Sequence, residues 1–425
     1  MLDKILTDNF RRLVEYTIKD IHNEQDRRDE EEFAKDELRI KEDLLDSVET
    51  YPSDVVLDED FIVAAIDGSG SDNLVTLDDI RVHIISTATS ILYTNTREGS
   101  FFDPIDGLRI ENQLGEQPHL DLHWHSGVRG DAKQKLSESL ANIYPQKDIA
   151  ELILPFFMDF KPDEIESLQD IGKSSRYSHY ISELKSMSSL ITRAQILTNP
   201  IVHEELRAVS EYAAARGVLT SEINPKYLLL DGAMSVFMHF VRQYPSMPSG
   251  FMLRELSKLA RENGVVLCAV SKNHTIPFAH RIAGMAKEKF GDTAKWFCQL
   301  PCSEDPGGGL HIYEDRTYIP PKLAVPYLYS FSGDNRPSRI DFDRIWWLEN
   351  IFVKDNPKAT RKNEKLIFRD LEFMARDARW YGYPVPLALA HQSCKLGYED
   401  LRIAREITGD ILKQTTEPLR ADFNL

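Results

Sequence analysis

Phe61-Ile62-Val63-Ala64-Ala65-Ile66-Asp67-Gly68 and Tyr227-Leu228-Leu229-Leu230-Asp231-Gly232 are two apolar runs that end in the same dipeptide. Each predicts a buried strand that delivers a carboxylate at its carboxyl end, with glycine letting the backbone turn sharply away. A carboxylate at that place is fixed on one side and solvated on the other. This suits a hard divalent cation, which takes oxygen ligands and needs an open face for substrate. Asp-Gly is also the commonest turn dipeptide, so the pair leaves three readings: metal, phosphate or plain turns.

Outward from these strands, the chain reads as an α/β domain with a mixed sheet. Residues 77–93 are rich in Val, Ile, Thr and Tyr and predict one or two further strands. Residues 94–130 are punctuated by Gly and Pro and read as an irregular insertion, and 131–200 as a second, mostly helical one, with Leu184, Met187, Leu190, Ile191, Ala194 and Leu197 forming a stripe. A helix over roughly 201–216 precedes the Asp231 strand. Beyond it come a helix, the buried strand Val265–Val270, a helix over about 278–290, strands within 308–352, and closing helices over 362–379 and 387–412. Residues 1–50 carry apolar side chains at helical spacing in a highly charged background, which predicts an acidic helical extension before a main domain over 55–415.

A chain of 425 residues with 42% hydrophobic and 10% aromatic content has enough material for a large core. The longest apolar runs are far too short to span a bilayer, and Asp3, Lys4 and Asp8 exclude a signal peptide, so no membrane role is expected. Four cysteines make no disulfide framework, and a reduced, cytoplasmic setting is the expectation. The net charge of −17 is uneven: residues 1–60 hold 20 acidic against 9 basic side chains, whereas 251–300 hold 8 basic against 4 acidic. A metal site is itself acidic and phosphate contacts need only a local basic surface, so the overall sign does not exclude nucleic acid.

Four constellations carry candidate chemistry. In Asp67-Gly68-Ser69-Gly70-Ser71 the aspartate is a metal ligand candidate, while Ser69 and the glycine amides suit a phosphate; no Lys-Ser/Thr follows, which excludes a Walker A loop. Asp231-Gly232 is preceded by a helix with Glu204, Glu205 and Glu211, any one of which an antiparallel run would bring beside the strand end; three carboxylates meeting there call for a cation. Lys272, just past a buried strand, suits phosphate as a point charge. In Tyr383-Pro384-Val385-Pro386-Leu387-Ala388-Leu389-Ala390-His391 the prolines fix entry into a helix. His391 is placed to ligate metal or move a proton, and Tyr383 to orient phosphate or water. Each also has an ordinary reading as a turn, a solvated face or a helix start. His119, Asp121, His123 and His125 alternate and would share one strand face, equally a zinc site or the polar side of an amphipathic strand. Cys298 and Cys302 lack the second pair of a zinc ribbon.

Taken in order, these motifs resemble the NurA family of DNA-end-processing nucleases. The most specific element is Tyr383-Pro384-Val385-Pro386-Leu387 through Ala390-His391. The likeness runs as scattered motifs from about Phe61 to Leu412, leaving 1–50 and 94–130 outside it. It implies an RNase H-like fold with Asp67, Asp231, a helix carboxylate and His391 around manganese or magnesium. Glu211, with Arg207 one turn earlier, suits the family pattern best; Glu205 and Glu204 are the fallbacks. It further implies 5′-to-3′ exonuclease and single-strand endonuclease action on DNA, a homodimer, and a hexameric HerA-type ATPase partner, in DNA repair or anti-phage defence. Two other readings remain: an actin- or sugar-kinase-like ATPase with two phosphate-binding Asp-Gly loops, and a non-catalytic DNA-binding scaffold.

Overall fold

The computed structural model describes, with short gaps, residues 11–23, 48–50, 57–95, 102–126, 138–144, 167–173, 199–234, 248–300, 324–331 and 337–412. In chain order the elements that build the domain are β1 (Val48–Thr50), β2 (Ile62–Leu77), β3 (Ile80–Thr94), β4 (Phe102–Pro104), α1 (Gly107–Leu114), β5 (His119–Ser126), α2 (Asn199–Thr220) and β6 (Tyr227–Asp231). Then follow α3 (Pro248–Glu262), β7 (Val266–Ser271), α4 (Ala279–Phe290), β8 (Trp296–Gln299), β9 (Ala324–Ser330) and β10 (Ser338–Asp343). The chain closes with α5 (Arg344–Asn350), α6 (Pro357–Met374), α7 (Val385–Cys394) and α8 (Tyr398–Leu412).

All ten strands join one mixed sheet in the order β1-β8-β9-β10-β7-β6-β2-β3-β4, with β5 also on β3. Its centre is an antiparallel meander, β5-β3-β2, continued by the parallel strands β6 and β7. That mixed sheet, flanked by helices, is the α/β fold class expected. The chain runs outward from β2 through β3 and β5, then returns to start again at β6 on the other side. The order therefore reverses between β2 and β6, where connections leave in opposite directions and open a crevice.

Strand alternation sorts the core into two layers. Ala64, Ile66, Leu228, Leu230, Leu267 and Ala269 face α2 and α3, meeting Leu206, Val209, Met252 and Leu256. Val63, Ala65, Tyr227, Leu229, Cys268 and Val270 face the other way, toward α6 and α7, where Phe368, Leu371, Leu387 and Ala388 cover them. Buried on both faces, these strands read as continuous apolar runs, as central parallel strands do.

Four features differ from the sequence expectation. First, Asp67-Gly68 is not a strand end: β2 runs on to Leu77, paired with β3 at Asp67↔Ala88 and Gly68↔Thr87. Second, residues 102–104 and 119–126 are strands on β3, so part of 94–130 belongs to the sheet; the alternation from His119 is a strand pattern whose distant partner no local reading supplies. Third, Arg344–Asn350 is helical despite its two tryptophans, because Asp343 caps it by accepting from the Trp346 amide at 3.1 Å. Fourth, 387–412 holds two helices, α7 and α8, rather than one. Val48–Thr50, at the end of the expected helical extension, pairs with β8. The stripe from Leu184 to Leu197 lies outside the described residues.

The α6 layer depends on Phe368, whose ring stacks on Phe297 with centroids 4.2 Å apart and lies 5.1 Å from that of Tyr327. Truncation as Phe368→Ala is expected to destabilise the domain by about 3–5 kcal/mol, read as a lower midpoint in urea with the m-value unchanged. A loss under ~1 kcal/mol would mean that this aromatic layer is not the core described.

Candidate metal centre at the strand-order reversal

β2 and β6 run parallel with Ile66 opposite Leu230. One residue further along, Asp67 and Asp231 stand on neighbouring strands and, by alternation, on the α7 side of the sheet. There β6 stops and Gly232 turns away at φ 102°, its amide bonded to the Val270 carbonyl at 2.9 Å. For Asp231 the expected strand-end carboxylate is thus present. Asp67 instead sits where a continuing β2 loses its β6 partner.

Gly68 explains how the third carboxylate arrives. Its position faces α2, and a Cβ there would lie 2.6 Å from Glu211 Oε1 and 2.9 Å from Arg207 Cγ. Lacking a side chain, it lets α2 press Glu211 against β2. Gly70 serves a neighbouring close approach, since a Cβ there would meet the Ile84 carbonyl oxygen at 2.1 Å. Of the fallback glutamates, Glu204 is exposed. Glu205 is buried elsewhere, accepting from the Ser249 amide at 2.8 Å and its hydroxyl at 2.9 Å, where it satisfies the amino end of α3. Only Glu211 of the three is turned to the crevice, where the charges of Asp67 and Asp231 act on it.

The remaining groups come from the carboxyl-terminal motif and from β7. Pro384 stands at the residue before α7 and Pro386 lies in its first turn, the helix entry expected. His391 Nδ1 lies 2.7 Å from Asp67 Oδ2. Asp67 Oδ1 accepts from the Gly68 amide at 2.7 Å. The Tyr383 hydroxyl donates to Asp231 Oδ1 at 2.6 Å. Lys272, exposed just past β7, holds Nζ 3.6 Å from the Tyr383 ring centroid. All six sequence-derived candidates, Asp67, Glu211, Asp231, Lys272, Tyr383 and His391, therefore meet around one crevice.

Burial and crowding shape the electrostatics. Asp67 is only 3% exposed, and its carboxyl is raised by burial first and by the Asp231 charge second, against the lowering bond from His391. Glu211 is pushed up to about 8, chiefly by burial; Arg207, with Nε 3.5 Å from Oε1, pulls it down while Asp67 and Asp231 push it up. Burial also lifts the Tyr383 phenol, with the Asp231 charge adding to the effect. Burial lowers Lys272, against the charges of Asp231 and Asp67. Anionic groups that raise one another's proton affinity are relieved by a cation between them. Carboxylate oxygens such as those of Asp67, Asp231 and Glu211 are the donors a hard divalent ion takes, although among the described residues the three ligand atoms that come within 4.8 Å of one another are those of Asp67, His391 and Cys394.

Cys394 was missed as a neighbour of the site. It lies one helical turn after His391, and one ligand atom from each of Asp67, His391 and Cys394 comes within 4.8 Å of the others. The i, i+3 spacing on a helix face was the signal that pointed to it. The alternating histidine stretch does form a strand, with His119 Nε2 3.2 Å from Asp121 Oδ2. Among the described residues, however, the Asp67–His391–Cys394 group is the one place where three such ligand atoms meet. Cys302 lies outside the described residues. No helix of the described residues is long and apolar enough to cross a membrane.

Fold and site together define an α/β protein with a carboxylate-lined crevice at the reversal of strand order. No protein-family model matches the chain, and no curated protein matches it. Among solved structures, the NurA nuclease from Sulfolobus solfataricus is similar over 96% of this chain and 98% of that one, at TM-score 0.43 and 14% identity. NurA bound to dAMP and manganese is similar over 92% and 95%, at TM-score 0.32 and 10% identity. NurA with manganese is similar over 96% and 98%, at TM-score 0.31 and 11% identity. At scores this low the likeness carries no functional argument; the side chains in the crevice do.

Glu211 contributes to the pH dependence of the metal-free protein, beside the other raised carboxyls of Glu205, Asp67 and Glu364. The folded value of Glu211, about 8, lies above the ordinary 4.5, so the folded state keeps a proton that the unfolded state releases. That stabilisation is complete below about 4.5 and fades as pH rises through about 8, at no more than ~1.4 kcal/mol per pH unit. Urea melts in chelator from pH 5 to 8 are expected to show falling stability, with a flatter profile for Glu211→Gln. Identical slopes in parent and variant would contradict this environment for Glu211.

Proposed function

We propose that this protein is a NurA-like, divalent-metal-dependent DNA nuclease. The observation that carries the reading is that Asp67 and Asp231 stand side by side on adjacent strands, bonded to His391 and Tyr383, with Glu211 near enough for both charges to act on it. Asp67, Asp231, Glu211 and His391 would hold manganese or magnesium. The ion, when bound, would activate water and stabilise the charge that develops on the phosphate and leaving oxygens. Tyr383 is held by Asp231 and overlain by Lys272, so the phenol and the ammonium act as a unit beside the crevice. Lys272 offsets phosphate charge, and Tyr383 orients a phosphate or water through its hydroxyl. His391, anchored on Asp67 and open to solvent, is suited to move a proton or complete the ligand set.

DNA as substrate follows from the sequence resemblance, as do the 5′-to-3′ exonuclease and single-strand endonuclease actions. The same source supports a homodimer, a hexameric HerA-type ATPase partner, a cytoplasmic setting, and a task in repair or anti-phage defence. The kinase-like alternative is less supported, because Asp67-Gly68 lies within a continuous strand and makes no phosphate-binding loop. A bare scaffold is disfavoured by Asp67 and Asp231 standing on adjacent strands.

Incubation with single- and double-stranded DNA and Mn²⁺, with ATP hydrolysis followed in parallel, tests the reading. Degradation is expected in the parent and is expected to fall by at least ~10²-fold in Asp67→Ala, beyond the 10- to 100-fold typical of groups that only support a metal ligand. ATP turnover without degradation would refute the nuclease.

A further inference from the structure

The tightest meeting of ligand atoms in the described chain is not an all-oxygen set. It combines a carboxylate from β2 with an imidazole and a thiol from α7: Asp67, His391 and Cys394, each offering one atom within 4.8 Å of the other two. Hard ions such as Mg²⁺ and Mn²⁺ favour oxygen, whereas thiolate and imidazole favour zinc and the ions that resemble it. His391 and Cys394 are three residues apart on α7, so both project to the Asp67 side of the helix.

We propose that this crevice has a second metal specificity: Asp67, His391 and Cys394 form an oxygen–nitrogen–sulfur site for Zn²⁺. The site shares Asp67 and His391 with the hard-ion centre proposed above, and only that overlap rests on the nuclease reading. An ion bound ~2.0–2.3 Å from each donor holds tetrahedral ligand atoms roughly 3.5 Å apart. The donors therefore need to close by little more than about an ångström from the 4.8 Å limit within which they lie. The Cys394 side chain is wholly buried and Asp67 nearly so, while the His391 side chain is 55% exposed. Three protein ligands with one open flank leave the fourth position to water, the coordination of an exchangeable zinc site.

Coordination takes the thiol as thiolate, so one proton leaves Cys394 for solvent as each ion binds. Zinc held this way ties up Asp67 and His391 in a tetrahedral arrangement and withdraws both from a centre built for a six-coordinate ion. The softer metal would then act as a competitor of the hard one, with Cys394 as the residue that distinguishes them. Cys298, also buried, lies in β8 within a separate hydrophobic cluster and belongs to no such three-ligand group among the described residues.

Cobalt(II) titration of the full chain, with no DNA present, tests the site as a spectroscopic stand-in for zinc. The parent is expected to show intense tetrahedral d–d absorption and a near-ultraviolet thiolate-to-cobalt charge-transfer band, both abolished by added Zn²⁺. Cys394→Ser and Cys394→Ala are expected to lose the charge-transfer band and to bind Zn²⁺ at least ~10-fold more weakly against a chromophoric chelator. Cys298→Ser is expected to keep both signals. A weak six-coordinate cobalt spectrum in the parent would overturn the proposal whatever the variants do. Undiminished zinc affinity in folded Cys394→Ser, its fold checked by circular dichroism, would overturn it as well. Because these measurements read binding alone, a chain that takes cobalt through sulfur yet cleaves no DNA would sink the nuclease and leave this site standing.

Discussion

Parallel pairing of β2 with β6, in the register that sets Ile66 opposite Leu230, is the constraint on which the rest of the site depends. A slip of one residue would turn Asp67 to the opposite face of the sheet, away from α7, and part it from Asp231. The register is held by burial on both faces. Ala64 and Ile66 must meet α2 and α3, while Val63 and Ala65 must meet the α6–α7 side. A one-residue slip would satisfy neither layer.

From that register the chemistry follows by crowding. Asp67 and Asp231 approach from two strands, and Glu211 is admitted from the opposite face because Gly68 has no side chain to exclude it. The burial that makes the core also raises Asp67 and Glu211, and the neighbouring carboxylates raise them further, against the opposing pull of His391 on Asp67 and of Arg207 on Glu211. Polar partners from the carboxyl-terminal motif then hold the geometry. His391 is bound to Asp67 and Tyr383 to Asp231, so α7 and the turn that leads into it are tied to the sheet at the two carboxylates. The carboxylates are thus positioned by hydrophobic packing on both sides and kept there by a few strong bonds.

Much of this was legible in the residues, though not always for the reason first visible. The twin Asp-Gly dipeptides look alike, yet they do different things. Gly232 turns the chain at a positive φ, whereas Gly68 stays extended and makes room for a glutamate. Choosing among Glu204, Glu205 and Glu211 was beyond local reading, since helical periodicity alone does not say which helix face meets which partner. The tertiary structure separates them into a solvated residue, a partner for the α3 amino end, and a crevice carboxylate. Strand β4, and the β3 partner of the strand pattern that begins at His119, were hidden because pairing with β3 is a long-range event. The helix at Trp346-Trp347 was hidden because an N-cap overrode aromatic strand preference.

By itself, the sequence determined the buried strands, the carboxylate at the end of one of them, the proline-fixed entry to α7, and the six candidate residues on which the proposed chemistry draws. Those features are local: they depend on alternation, on backbone freedom at glycine, and on the fixed φ of proline. Only the tertiary structure decided that Asp67 lies inside a strand, that Glu211 is the helix glutamate on which the charges of Asp67 and Asp231 act, and that Cys394 stands beside Asp67 and His391. Each of those facts is a distance between residues far apart in the chain. Such distances are set by strand register and layer packing, which exist only once the two faces of the sheet are covered.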